Sequence, residues 1–261
     1  MVINKLVTIS VISHGQIELI VDLFNDIAKF LCANQLEVIL TLNVPEKLPF
    51  LESDYVFLKR IIRNQNSQGF SVNHNRAFSY STGDFFCVLN PDIRFKSDPF
   101  PILLSNLNDQ SIGLVAPLMF SRDDKIENSA RKFPTPFKIA CKALGGSKFL
   151  EYDVLDQDIE PDWVGGMFML FPRKIFIKLA GFDERYFLYY EDVDLCARLK
   201  LLGYKILLCP QAKVFHYAQR TSHVNFEYFR WHARSMIRFF CSDVFWRHQS
   251  RKWLFKFKKD K

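Results

Sequence analysis

Asp84-Phe85-Phe86-Cys87-Val88-Leu89-Asn90-Pro91-Asp92 decides how this chain folds. A short apolar run closed by turn residues reads as a strand buried on both faces of a sheet. The acid that follows then stands at the strand's C-terminal tip, on the open edge where α/β folds bind ligands. Working outward, Leu6 to Ile12 is β-branched and nearly continuous, a second buried strand, and Ser13-His14-Gly15 turns the chain. Ile17, Ile20, Leu23, Phe24, Ile27 and Leu31 recur at helical spacing. Leu36 to Leu42 and Val56 to Ile62 read as strands, Asn64 to Phe70 as a loop, and Ser71 to Tyr80 as a helix. Strand, helix, strand, strand, helix, strand predicts a doubly wound, mostly parallel sheet of the α/β class.

Downstream, Ile112 to Met119 reads as a strand and Ala130 to Pro136 as a loop with two prolines. Trp163 to Leu170 reads as a strand that begins at the pair Gly165-Gly166, where a ligand or another backbone could approach closely. Arg173 to Ala180 is a helix stopped by Gly181, and Glu191 to Leu202 a helix with acids in its first turn and Gly203 at its end. Tyr204 to Cys209 and Val214 to Tyr217 read as two short strands. Within the acidic helix, Asp194 and Arg198 stand four apart and should pair.

Three features carry chemistry. Asp92 sits at a strand tip, Glu191-Asp192-Val193-Asp194 opens a helix, and His216 follows 24 residues after Asp192. Together they can hold a divalent metal beside a general base, as a hydrolase or a transferase acting on a phosphorylated substrate requires.

A chain of 261 residues can bury a full α/β core, and 27 phenylalanines suggest extra apolar surface. The six cysteines are scattered without a CxxC pair, so reduced buried thiols are expected rather than disulfides or zinc. The first thirteen residues lack a signal-peptide pattern and no run is long enough to span a membrane, so the chain reads as cytoplasmic. The net charge of +7 is concentrated at the end, where Arg247 to Lys261 holds seven Lys/Arg against one acid, interleaved with Trp246, Trp253, Phe255 and Phe257. Before it, Phe226, Phe229, Ala233, Ile237 and Phe240 share a helical face flanked by Arg230, Arg234 and Arg238. Aromatic plus basic suits an anionic membrane surface; a solvated tail and a nucleic-acid partner are the alternatives. Nucleic-acid binding would place cations near the strand tips instead, so no nucleic acid is expected.

The order Ile12-Ser13-His14-Gly15, Asn66-x-x-Gly69-Phe70, Asn90-Pro91-Asp92, Trp163-Val164-Gly165-Gly166, Gly181-Phe182-Asp183-Glu184 and Glu191-Asp192-Val193-Asp194-Leu195-Cys196-x-Arg198 resembles family 2 glycosyltransferases of the GT-A fold. With Ser129-Ala130-Arg131-Lys132-Phe133-Pro134 it looks most like the bacterial rhamnosyltransferases of O-antigen and cell-wall polysaccharide assembly. The resemblance spans about residues 5 to 240. It implies a GT-A nucleotide-diphospho-sugar transferase domain over 1–222, a mostly parallel central sheet flanked by helices. Residues 223–261 would form an amphipathic, basic, membrane-associating helical extension.

The resemblance also implies roles. An inverting enzyme would move L-rhamnose from dTDP-L-rhamnose to a lipid-diphosphate-linked sugar, with Mg or Mn stabilising the leaving diphosphate. Asp92, His216 and Asn90 would hold the metal, although Asn90 stands where many members have Asp. Asp192 would be the base, with Glu191 holding the acceptor or positioning a loop. Ser13, Asn43, Asn66, Gly69, Asp92 and Arg131 would meet the donor, although Leu42 stands where members often have an acid. Trp163, Gly165 and Gly166 would face the acceptor. The enzyme would work peripherally at the cytoplasmic face of a bacterial inner membrane. A different donor (UDP-galactofuranose or UDP-hexose) and a non-catalytic nucleotide- or polysaccharide-binding module are the rival readings.

Overall fold

Val7–Ser13 (β1) lies in parallel between Leu36–Leu42 (β2), paired Val7↔Leu36 to Ser13↔Leu42, and Phe85–Leu89 (β4), paired Val7↔Phe85 to Val11↔Leu89. All three are buried nearly throughout, as continuous apolar runs require. The computed structural model describes residues 6–136, 139, 150–153, 157–217 and 226–250. Leu58–Arg63 (β3) flanks β2, beginning two residues later than the apolar pattern suggested because Val56 is solvent-exposed. Helix Ile17–Phe30 (α1) connects β1 to β2, and helix Phe70–Tyr80 (α2) connects β3 to β4.

The second half adds Ile93–Arg94 (β5), helix Phe100–Asn106 (α3), Ile112–Ser121 (β6), and the short strands Ala130–Arg131 (β7) and Trp163–Val164 (β8). Phe168–Pro172 (β9), helices Arg173–Lys178 (α4) and Glu191–Leu201 (α5), Lys205–His216 (β10) and helix Phe226–Phe240 (α6) follow. The main sheet runs β3-β2-β1-β4-β9-β6-β10-β5, with β9 antiparallel to β4 and β6, and β5 antiparallel to β10. The other pairings are parallel, so the expected mixed α/β, mostly parallel architecture stands. The chain moves outward from β1 to β3 and then returns to β4 on the other side. The C-terminal tips of β1 and β4 therefore flank a topological switch point, where α/β sheets open a crevice.

Three further expectations change, the first being that Ala130–Arg131, expected in a loop, forms the strand β7. Trp163 to Leu170 is not one strand: β8 pairs with β7 in a separate ribbon, and β9 joins the main sheet. The glycine pair makes the break, because Gly165 N–H bonds to the Ser129 carbonyl (2.9 Å) while Gly166 N–H bonds to the Asp192 carboxylate. Conversely, Tyr204 to Cys209 and Val214 to Tyr217 merge into the single strand β10, which crosses Pro210 through a register shift between Cys209 and Lys213. A bulge accommodates the missing proline donor.

The phenylalanines form much of the two cores. Phe24, Phe57 and Tyr55 cluster against α1, while Phe78, Phe86, Phe171, Phe176 and Phe182 form a connected series on the opposite face of the sheet. Each well-oriented ring pair contributes about 0.5–1.5 kcal/mol beyond area burial. Among the described residues all cysteines are free thiols, with Cys87, Cys196 and Cys209 buried; Cys141 lies outside them. Asp194 and Arg198 pair at 2.7 Å, and the same guanidinium donates to the Leu179 and Gly181 carbonyls. No described helix is long and apolar enough to cross a membrane.

Helix α6 is amphipathic on two counts. Ser235 and Phe239 are buried, Ser235 Oγ donates to the Leu188 carbonyl (2.9 Å), and the Trp231 ring packs tilted against Phe187 with centroids 4.8 Å apart. The outward face leaves Phe226, Phe229 and Ile237 exposed at 77%, 69% and 60%, with Arg230 and Arg234 exposed among them. Trp246 beyond the helix is also exposed, and the basic run from Arg251 to Lys261 lies outside the described residues.

Candidate functional site

A cavity of about 250 Å³ opens at the tips of β1, β2 and β4. Ile12 and His14 line it from β1, Asn43 from β2, and Leu89, Asn90, Pro91 and Asp92 from β4. Ser67, Gln68, Asn73 and His74 come from the loop before α2 and from α2 itself. A wall of Phe187, Leu188, Tyr228 and Trp231 closes the far side, so α6 contributes two aromatic rings to the crevice.

Asp92 and His216 meet because β5 and β10 pair antiparallel, with His216 opposite Ile93. Tyr217 N–H donates to the Asp92 carbonyl (2.9 Å), and His216 Nε2 lies 3.2 Å from Asp92 Oδ2. The other ring nitrogen, Nδ1, lies 2.7 Å from Glu127 Oε2. Burial opposes a charge on this imidazole, but hydrogen bonds and charges from both carboxylates outweigh it and push its pKa up to about 9. Asp92 Oδ1 is buried without a hydrogen-bond partner. An orphaned carboxylate oxygen beside an imidazole nitrogen, with the Asn90 side chain on the same cavity wall, is a donor set that fits a hard divalent cation. Among the described residues no three His, Cys, Asp or Glu side chains converge into a complete metal cluster. Further oxygens would come from a bound diphosphate, the usual arrangement for magnesium.

Asp192 enters from α5. Two consecutive left-handed residues, Tyr189 (φ 68°) and Tyr190 (φ 67°), turn the chain into that helix. Such positions cost on the order of 1–3 kcal/mol each and persist only where packing holds them. Here both rings lie against His232 of α6, and the Tyr190 carbonyl accepts the Asp194 N–H. Asp192 Oδ2 accepts the Gly166 N–H (3.0 Å) and Oδ1 the Val193 N–H (2.8 Å). Burial raises its proton affinity above the ordinary aspartate value, although these N–H groups and the Arg131 charge oppose the rise. Next to it Glu191 is buried, its Oε2 unpartnered, and burial followed by repulsion from Asp192 pushes its carboxyl well above the usual range. Asn90 N–H donates to the carbonyl of Met167, the residue after Gly166 (2.9 Å). Consecutive residues thus tether the β4 tip and the Asp192 carboxylate.

On the β7–β8 ribbon, Arg131 is opposite Trp163, with its guanidinium 5.3 Å from the ring centroid. Arg131 Nε donates to the Asn128 carbonyl and Trp163 Nε1 to the Lys132 carbonyl. The residues assigned to the acceptor side therefore gather beside Asp192, and Arg131, assigned to the donor, stands with them.

The remaining donor-side residues are engaged in the scaffold. Ser13 Oγ donates to Glu46 Oε2, and Gly15 N–H to Glu46 Oε1, both at 2.9 Å. Asn43 Oδ1 accepts from Asn64 Nδ2 and Gln68 N–H, while its Nδ2 faces His14, Ser67 and the Gln68 carbonyl. Asn43 holds the 67–68 loop against the strand tips. Asn66 is exposed and does not line the cavity. Gly69 must lack a side chain: a Cβ there would lie 2.8 Å from the Phe187 carbonyl oxygen and 2.9 Å from its Cα. That close approach lets Phe70 N–H donate to Phe187 O.

Sequence reasoning did not find Glu46, Glu127, Gln68, Tyr228 or Trp231. Glu127 follows a turn with no periodicity, and Tyr228 and Trp231 lie outside the helical face picked out by its run of apolar residues.

The chain is similar to several glycosyltransferases. It is 32% identical over 183 residues to rhamnosyltransferase WbbL of Escherichia coli, covering 66% of this chain and 69% of that protein. It is 31% identical over 144 residues to N-acetylglucosaminyl-diphospho-decaprenol L-rhamnosyltransferase of Mycobacterium tuberculosis, covering 51% of this chain and 47% of that protein. The chain thus spans about two thirds of one relative and about half of the other. In fold it matches GalNAc-T7, solved with UDP, GalNAc and Mn2+ (TM-score 0.63, 15% identity, 82% of this chain and 44% of that one). It also matches the mannosyltransferase PcManGT of Pyrobaculum calidifontis, solved with GDP-Man and Mn2+ (TM-score 0.60, 15% identity, 83% and 58%). The GT-A fold expectation therefore holds. The model of the family described as glycosyltransferase-like family 2 matches residues 7–246, and the chain belongs to that family as a glycosyltransferase.

Proposed function

We propose that this glycosyltransferase moves L-rhamnose from dTDP-L-rhamnose to a lipid-diphosphate-linked sugar, with inversion, in bacterial O-antigen or polysaccharide assembly. The observation that carries the reading is the tether through Gly166 and Met167, which joins the Asp192 carboxylate to the Asp92-bearing tip. Inverting displacement needs a base on the acceptor hydroxyl and stabilised charge on the opposite, leaving side. Asp192 is the proposed base, and buried Glu191 the neighbour that holds the acceptor or positions a loop. Asp92, His216 and Asn90 would hold Mg or Mn, which would supply charge stabilisation to the diphosphate. His14, Gln68 and Asn43 border the space for the nucleotide, and Arg131, Trp163, Gly165 and Gly166 that for the acceptor. The two rhamnosyltransferase relatives support the sugar assignment.

Residues 223–261 are the proposed membrane-associating extension. The exposed Phe226, Phe229 and Ile237 among Arg230 and Arg234 support docking on an anionic bilayer at the cytoplasmic face. A lipid-linked acceptor requires that location.

A thermal-shift screen of nucleotide sugars with and without Mn tests the donor. A ligand that binds only the folded state stabilises it by mass action, about 2.7 kcal/mol at a hundredfold excess over Kd. dTDP-L-rhamnose should give the largest Mn-dependent shift; a larger shift with UDP-galactofuranose or a UDP-hexose would replace the donor assignment.

A further inference from the structure

The β6 strand ends in a tight turn in which Ser121 N–H bonds to the Lys125 carbonyl (2.8 Å) and Asp124 adopts φ 55°. Phe120 then bridges Ile126, and Glu127 donates its N–H to the Met119 carbonyl (2.9 Å) while its carbonyl accepts the Ser129 N–H (2.8 Å). Both backbone groups of Glu127 are thereby used, so its side chain is delivered from a fixed point. That point lies beside His216, whose β10 partner in β6 is Ser121. Glu127 Oε2 is 2.7 Å from Nδ1, and Asp92 Oδ2 is 3.2 Å from Nε2.

The two ring nitrogens of an imidazole direct their bonds away from one another. A cation shared by Nε2 and Asp92 therefore cannot also take Glu127 as a ligand, which leaves Glu127 an orienting role. A carboxylate accepting Nδ1–H fixes the tautomer, leaves the Nε2 lone pair for a metal and stops ring rotation.

We propose that Glu127 is a positioning residue that locks His216 as the Nδ1–H tautomer, with Nε2 aimed at the cation site beside Asp92. The proposal rests on the reading of Asp92 and His216 as cation ligands. It assigns Glu127 no contact with the donor or the acceptor.

The test uses the full chain with Mn2+ as probe, titrated calorimetrically in the presence of dTDP. Glu127→Ala should weaken Mn2+ binding about 10–100-fold, while the chain still unfolds cooperatively in the absence of metal, at a somewhat lower melting temperature because His216 loses a buried partner. Glu127→Gln should recover most of the affinity, because its amide oxygen can accept the same Nδ1–H. Long-range 1H–15N NMR of the wild-type protein, loaded with diamagnetic Mg2+ and dTDP, should report His216 protonated on Nδ1. Finding the proton on Nε2 overturns the proposal, whatever the variants do. Mn2+ affinity within about twofold of wild type in Glu127→Ala, together with a clear loss in His216→Ala, overturns it while sparing the cation site. No loss in His216→Ala overturns the cation-site reading and this proposal with it.

Discussion

Gly166 gives its backbone N–H to the Asp192 carboxylate at 3.0 Å, across 26 residues of chain. The contact ties the start of an acidic helix to the turn between two strands that belong to different sheets. It holds Asp192 in one orientation and biases it toward the charged form, against the burial that raises its proton affinity. An anchored carboxylate with somewhat raised basicity suits a proton acceptor.

Asp192→Asn should lower glycosyl transfer by about a hundredfold or more, since a positioned base contributes about 10²–10⁴-fold. The thermal shift given by nucleotide sugar and Mn should remain near wild type. In the wild-type rate profile the acid limb should lie above the ordinary aspartate value, because the proposed base works deprotonated and burial raises its affinity for the proton. Loss of donor binding equal to the loss of rate would assign Asp192 to the fold instead.

Gly69→Ala and Gly165→Ala should differ. A Cβ at Gly69 meets the Phe187 backbone at 2.8–2.9 Å, and backbone cannot move aside cheaply. We expect a cost of about 1–3 kcal/mol, as for other overpacked sites. The new Cβ at Gly165 meets the Met167 methyl at 2.6 Å, the far end of a flexible side chain that can swing away. Urea unfolding of both variants checks this: equal midpoints would show that the 187 segment yields.

His74 should make the protein acid-sensitive. Its ring is buried and bonded to Ser10 Oγ (2.8 Å), and burial lowers its pKa from 6.5 to about 3. Between those values the unfolded chain binds a proton that the folded chain refuses. Stability from this group is therefore full above about pH 6.5 and falls with pH below it, by up to about 1.4 kcal/mol per unit. His74→Gln should flatten the fall between pH 6.5 and 4. His216 has the opposite sign: in the metal-free protein its contribution is full below about pH 6.5 and is lost as the pH rises through about 9. Melting temperatures across pH 4–10 would separate the two.

Replacing Phe226, Phe229 and Ile237 by Ser should abolish sedimentation with phosphatidylglycerol vesicles and leave the melting temperature almost unchanged, because these side chains are exposed. Arg230→Glu with Arg234→Glu should weaken the same binding, at about 1 kcal/mol per surface cation lost. Added salt should mimic it, since the screening length is about 8 Å at physiological ionic strength. Equal binding to phosphatidylcholine would remove the electrostatic part of the idea.

Much of the fold was legible because strand and helix patterns are local. The apolar runs of β1, β2 and β4, the Asp92 tip and the acidic start of α5 follow from periodicity and from where it breaks. The Asp194–Arg198 pair was legible for the same reason, since four residues along a helix bring two side chains onto one face. Long-range register governs the rest. Whether His216 meets Asp92 depends on β5 pairing with β10, and Glu127 reaches the same ring only because the chain doubles back after β6. Trp231 and Tyr228 reach the cavity because α6 packs on the 187–190 turn, whose left-handed tyrosines no propensity would place there. Hydrophobic patterning says which face of an element is buried; which element covers it is settled by the packing of the whole chain.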